Sequence, residues 1–203
     1  MDKIDFKKER KDLYAPSAKE VSVVDVPAMN FLMIDGAGDP GTSKAFMESI
    51  EALYPLAYTL KFMAKLGPVG QDYVVPPLEG LWWADDMGAF VEGRRDEWKW
   101  TLMIMQPEFV SQAMFEEAVV TVRKKKNPPL LESVRWERFE EGESAQILHV
   151  GPFDEEGPKI ARVHERIEQL GKRLALKHHE IYLSDPRRTA PEKLRTVLRQ
   201  AMR

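Results

Sequence analysis

Late in the chain, the run "HHEIYLSDP" (residues 178–186) places His178, Glu180 and Tyr182 at every second position. Alternate side chains on an extended strand share a face. The spacing therefore sets an imidazole, a carboxylate and a phenol side by side, with His179, Ile181 and Leu183 on the opposite face. A carboxylate held among aromatic rings is partly desolvated, which raises its basicity. It can then act as a general base on water or as the counter-charge of a cationic ligand. A phenol beside it can donate a hydrogen bond to an oxygen that gains negative charge. The expected arrangement has Ile181 and Leu183 against helices and the polar trio on the open side. The alternative is a solvated or ion-paired Glu180 and an amphipathic rim residue at Tyr182.

A second carboxylate candidate, Glu79, sits in "PLEGLWW". Alternation groups Glu79, Leu81 and Trp83 on one face and Gly80 and Trp82 on the other. The preceding Pro76-Pro77 can insert a bulge, so either face can be the inner one. Trp82, Trp83, Trp98 and Trp100 fall within nineteen residues, followed by Met103 and Met105. Large aromatics and methionines fill cores, and they also line pockets for flat apolar ligands. In the second use, Tyr58, Tyr73, Trp82, Trp83, Trp100 and Met105 are the ligand-binding candidates. Trp100 alternates with Leu102 and Ile104, Thr101 with Met103 and Met105, and either row can be core. His149, in "HVGPF", precedes a helix start, where it orients a neighbour or caps a sheet edge.

Other chemistries lack their residues. There is no cysteine, so disulfides and thiolate zinc sites are excluded. His178 and His179 point to opposite faces with no third ligand at metal spacing, so no metal and no cofactor is expected. The turn "DGAGDPG" lacks the lysine of a phosphate loop, and no Gly-x-Ser-x-Gly element occurs. The net charge of −3 gives no global drive toward nucleic acid or an anionic membrane. No run of about 18 apolar residues exists, and the opening "MDKIDFKKERKDLY" is polar rather than a signal peptide. The expectation is a cytoplasmic chain of 203 residues with ample length for a core.

The elements that must position these residues follow from periodicity and punctuation. Residues 21–41 read as one strand or two joined at Pro27. Helical spacing from Phe46 to Met63 predicts a helix capped by Thr42 or Ser43, kinked or broken at Pro55. Residues 71–86 and 97–107 read as extended pieces of a hairpin. A helix follows, started by Pro107 and ended by the basic run 123–126, which complements its C-terminus or binds phosphate. A second hairpin is expected around "EEGES", then an amphipathic helix with Ile160, Val163, Ile167, Leu170 and Leu174. The strand carrying Glu180 comes next, and a short terminal helix at about 190–201. This order predicts an α+β fold, an antiparallel sheet with helices on one face. One domain is expected: an N-terminal half at about 20–106, a linking helix at about 107–127, and a C-terminal half at about 132–186.

Four segments, in order, carry a family resemblance: "DLYAPSAKEVSVVDVPAMNFLMIDGAGDP", "DYVVPPLEGLWWADD", "LHVGPFDEEGPKI" and "EIYLSDPRRTAPEKLRTVLR". Together they resemble the GyrI-like small-molecule-binding domain, in its stand-alone branch, over residues 14–199. The resemblance implies tandem βαββ units related by a pseudo-two-fold axis, with a ligand cleft between the halves. It implies a flat aromatic, often cationic, ligand and a glutamate at the cleft centre, which Glu180 matches. Stand-alone members include hydrolases that open the cyclopropane ring of DNA-alkylating natural products, a detoxification. On that pattern Glu180, helped by Glu79, activates water, and Tyr182 hydrogen-bonds the carbonyl oxygen. The alternative is a drug-sequestering protein without turnover. A gyrase partner rests on fold analogy alone. No helix-turn-helix precedes the domain, so no direct nucleic-acid contact is expected. Either a monomer or a homodimer fits.

Overall fold

A computed structural model describes residues 3–203; Met1 and Asp2, which head the polar opening stretch, lie outside the described residues. The first half of the chain forms α1 (Phe6–Glu9), α2 (Lys11–Tyr14), β1 (Ser22–Val26), β2 (Met29–Ala37), α3 (Lys44–Leu66), β3 (Leu78–Trp83), α4 (Gly88–Val91) and β4 (Lys99–Gln106). The second half forms α5 (Gln112–Lys125), β5 (Arg135–Phe139), β6 (Gly142–Val150), α6 (Gly157–Gln169), β7 (Leu174–Tyr182) and β8 (Arg195–Met202). The architecture is α+β, and the strand ladders described below are antiparallel. No described helix is long and apolar enough to cross a membrane. Contacts group the chain into two compact units. Among the described residues, unit 1 holds 3–6, 29–76 and 82–139; unit 2 holds 7–28, 77–81 and 140–203.

In unit 1, β2 pairs with β4 on one side and with β5 on the other. α3 lies on β2 and β4 and packs against α5. The Ser43 hydroxyl accepts a hydrogen bond from the Phe46 N–H at 3.3 Å and starts α3. The helix then runs unbroken through Pro55. α5 starts at Gln112 rather than at Pro107, because Val110 N–H turns back to the Pro107 carbonyl and Ser111 caps the helix instead. Its basic end is solvent-exposed, with Arg123 paired to Glu132. Both rows of β4 are core: Trp100, Leu102 and Ile104 are buried, and so are Met103 and Met105.

Trp100 depends on a glycine. Its register partner on β2 is Gly36, and a Cβ there would stand 2.0 Å from the indole Cη2. Only a residue without a side chain lets the ring lie across the strand. The ring also meets Phe46 edge-on at 5.2 Å.

In unit 2 the strands hydrogen-bond in the order β1-β6-β8-β7. α6 covers β6 and β8, and Ala145, Ile147, Val163, Ile167, Leu198 and Met202 form the core beneath it. Two expectations fail here. The hairpin around "EEGES" does not form: β5 pairs with β2, and β6 pairs with β1 and β8. The terminal helix is strand β8 instead. Leu194, Val197, Leu198, Ala201 and Met202 recur at helical spacing, which misled the reading. β8 is enclosed on both faces, with every residue from Thr196 to Met202 buried. A strand buried on both faces loses its period-two alternation, and its polar members Arg199 and Gln200 are satisfied by tertiary partners.

Gly36→Ala is expected to destabilise the protein by about 1–3 kcal/mol through overpacking against Trp100. Urea denaturation measures this. An unchanged midpoint would mean that the ring has another place to lie.

Candidate active site

β7 carries a bulge before Glu180 and Tyr182. Its register against β8 shifts between Ala175 and His179, and Leu176 adopts a positive φ of 57°. Bulges reset alternation and re-aim side chains. Beyond the bulge, Glu180 lies opposite Leu198 and Tyr182 opposite Thr196. Cross-strand partners share a face, and Leu198 belongs to the core under α6. Glu180 and Tyr182 therefore lie on the α6 side of the sheet, and His179 and Ile181 lie on the other. This reverses the expected arrangement: the polar trio, not the apolar pair, is on the helix side. Sequence alternation grouped the residues correctly but could not see which face α6 would cover.

The trio itself is assembled. The Tyr182 hydroxyl donates to Glu180 Oε2 at 2.8 Å. His178 Nε2 stands 3.5 Å from Glu180 Oε1, close by but without a hydrogen bond. The Phe153 ring meets Tyr182 edge-on at 5.8 Å and is 42% exposed. Across β8, His149 is in register with Thr196, and its Nε2–H donates to the Pro152 carbonyl at 2.9 Å. That bond closes the "HVGPF" turn on itself. On α6, burial and then the charge of His178 hold His164 below its ordinary value.

A second carboxyl joins this cluster. Glu156 directly precedes α6 and is buried. Burial pushes its carboxyl well above the usual carboxylate range, the negative Glu180 beside it adds to the push, and the Thr196 hydroxyl opposes it. Sequence reading missed Glu156, Thr196, His164 and Phe153. An acidic residue at a helix start is ordinary, and nothing in the local pattern marked Glu156 as enclosed.

Glu79 lies elsewhere. It receives His179 Nε2–H at 2.9 Å on the opposite face of β7, while His179 Nδ1–H donates to Glu141 Oε2 at 2.9 Å. Both nitrogens donate, so the ring is an imidazolium. Arg199 donates to Glu141 at 3.2 Å, to Gln146 Oε1 at 2.9 Å and to the Leu13 carbonyl at 2.8 Å. Burial alone would strip the His179 proton, but Glu141 and Glu79 raise its pKa to about 9. Burial opposes ionisation of Glu141 too, yet His179 and Arg199 hold it down at about 2. Burial and then the Glu79 charge push the Tyr14 phenol well above its ordinary value. The array pairs two carboxylates with two cations, fully enclosed. Glu79 is thus a structural partner of His179 and does not meet Glu180.

The remaining ligand candidates lie in unit 1. Trp82 and Trp100 are buried and both contact Phe46; Trp83 is half-buried. Tyr73 is fully buried against Phe109, its hydroxyl donating to Gln106 Oε1 at 3.4 Å. Met105 is buried, whereas Tyr58 is 51% exposed beside Tyr54 on α3. A cavity of about 330 Å³ lies among Glu140, Glu141, Glu143, Lys172 and Arg203, and Glu180 does not line it.

Among known families, the GyrI-like small molecule binding domain matches residues 19–199. The chain belongs to that family. Its solved relatives agree. A hydrolase from Listeria innocua is 44% identical, covers 99% of this chain and 100% of its own, and superposes with a TM-score of 0.87. An uncharacterized conserved protein from Listeria innocua is 45% identical over 99% and 100% of the two chains, with a TM-score of 0.90. The EcmrR C-terminal domain shares the fold alone, at 9% identity and a TM-score of 0.54 over 91% and 97% of the chains. No curated protein matches. In this GyrI-like domain the matched region includes Glu156, Glu180, Tyr182 and the His179 array.

The array sets a pH window. His179 is held above its ordinary 6.5, so its stabilisation is complete below that value and is lost as pH rises through about 9. Glu141 is held below its ordinary 4.5, so its stabilisation is present above that value and is lost as pH falls through about 2. Glu141→Gln leaves buried cations without their counter-charge. It is expected to cost about 3–5 kcal/mol near neutral pH and to weaken the acid limb of a stability-versus-pH series measured by urea unfolding. Wild-type stability in that variant would remove the array from the fold's energetics.

Proposed function

We propose that this GyrI-like protein is a hydrolase that opens the strained cyclopropane ring of flat aromatic, DNA-alkylating compounds, a detoxification. The observation that carries this reading is the 2.8 Å hydrogen bond from Tyr182 to Glu180. It belongs to a carboxylate that pairs with no Lys or Arg among the described residues. A carboxylate so placed can accept a proton from water. The hydrolase from Listeria innocua, similar over nearly the whole chain, supports the reaction class.

The chemistry closes on these two groups. In a cyclopropane fused to a cyclohexadienone, water attacks the ring methylene and Glu180 takes its proton. The C–O bond forms as the strained C–C bond breaks, and the electron pair moves to the carbonyl oxygen, which becomes a phenolate. Tyr182 gives that oxygen its proton, and Glu180 returns the proton from water to Tyr182 along their hydrogen bond. Product aromaticity supplies much of the driving force, so one general base and one donor suffice. Phe153, exposed beside Tyr182, offers an aromatic edge to a flat substrate.

The test is multiple-turnover hydrolysis of a cyclopropane-bearing dienone, followed by ultraviolet absorbance. Glu180→Gln is expected to lower kcat by about 10²–10⁴-fold with binding retained. Tyr182→Phe should lower it by about 10²–10³-fold. Wild type that binds one equivalent and never turns over would instead make the protein a sequestering binder, with Glu180 as a counter-charge.

A further inference from the structure

Glu156 has no part in the chemistry above, and its surroundings are those of an acid. The residue is 4% exposed, and its Oε1 is enclosed without a hydrogen-bond partner. Its backbone is fixed, with Glu156 N–H bonded to the Phe153 carbonyl and its own carbonyl accepting from Lys159 and Ile160. The polar groups on this face are His178 and Tyr182 from β7, beside Glu180, and Thr196 from β8, beside Glu156; His149 of β6 is in register with Thr196, and His164 of α6 senses His178. None is a lysine or arginine. Two of the three basic residues of α6 are committed elsewhere, Lys159 to the Ala18 carbonyl and Arg162 to the Lys19 carbonyl, and Arg166 lies in the last turn, away from Glu156. Two enclosed carboxylates side by side, with no lysine or arginine among these neighbours, resist ionising together. Glu180 is the one that receives the Tyr182 hydroxyl, which makes it the charged member.

We propose that Glu156 and Glu180 hold one proton between them, with Glu156 as the acid, and that Glu156 is a positioning residue for Glu180. The Glu156 O–H donates to Glu180 and, with Tyr182, fixes the carboxylate so that a remaining lone pair faces substrate water. During turnover the pair passes from one shared proton to two, when water is deprotonated, and back to one when Glu180 reprotonates Tyr182. The pair stands on the burial of Glu156 and its unpartnered Oε1 just before α6, and on Glu180 facing α6 from β7; its role in hydrolysis rests on the function proposed above.

Holding that proton carries a cost in stability. The unfolded chain releases it above the ordinary carboxylate value of 4.5, while the folded chain keeps it. Stability therefore falls as pH rises above that value. Glu156→Gln keeps the shape and a donor but has no proton to lose. It is expected to be more stable than wild type at neutral pH, with the gain growing toward alkaline pH and vanishing in acid.

Infrared spectroscopy of the intact protein tests the pair. Wild type at neutral pH is expected to show the C=O stretch of a protonated carboxylic acid, and Glu156→Gln to lose it. In Glu180→Gln the band should disappear at lower pH, because the neighbouring charge is gone. A wild type without the band, or a band undiminished in Glu156→Gln, would overturn the shared proton. Kinetics test the positioning. Glu156→Leu should lower kcat by roughly 10²-fold with little change in KM, and Glu156→Gln should restore most of it. Equal kcat in Glu156→Leu and wild type would overturn the positioning role. A band lost in Glu156→Gln together with a wild type that never turns over would keep the pair and discard the hydrolase reading.

Discussion

Unit 2 is built around a buried imidazolium. His179 has a carboxylate on each ring nitrogen, and one of these carboxylates also holds Arg199. Enclosing four charges is tolerable only when every one is paired and hydrogen-bonded, so the strands that supply them have little freedom of register. The array joins β3 through Glu79, β7 through His179, β8 through Arg199 and β6 through Gln146, and it reaches α2 at the Leu13 carbonyl. A one-residue slip of β7 would turn the His179 ring into the apolar core under α6 and present Glu180 to two other carboxylates. The bulge after Ala175 is the local device that brings the strand into the one register that avoids this.

The two faces of β7 thus treat charge in opposite ways. On the His179 face, the cations and carboxylates balance. On the α6 face, the two carboxyls meet histidine and hydroxyl groups and pair with no lysine or arginine among the described residues. A fold gains nothing in stability from such an uncompensated cluster, and perturbed groups of this kind concentrate at functional sites. The balanced array and the proposed catalytic base are adjacent residues on one strand, His179 and Glu180.

Unit 1 solves a different problem, that of volume. Trp100 lies over Gly36 and against Phe46, and both rows of β4 are buried. Trp82, Tyr73 and Met105, read from sequence as candidate ligand contacts, are enclosed in this unit. The same aromatic content serves packing or recognition equally well, and only the packing of α3 distinguishes them.

The sequence alone determined the α+β class, most helices and strands, the family and the shared face of His178, Glu180 and Tyr182. These follow from short-range causes: periodicity, serine caps, proline and glycine punctuation, and the alternation of a strand. Tertiary structure decided the rest. β8 carries a helical spacing of apolar residues, yet it is a strand because neighbours enclose both its faces and satisfy Arg199 and Gln200. Glu79 and Glu180 look alike in sequence, two glutamates beside aromatic residues on strands. One is bound to His179 and the other stands beside Tyr182 and Glu156. What separates them is which partners the fold brings within reach, and the partners of Glu180 at Glu156 and Thr196 lie 24 and 16 residues away along the chain. A carboxylate's charge state is set by burial and by the charges around it, and neither is written in its local sequence.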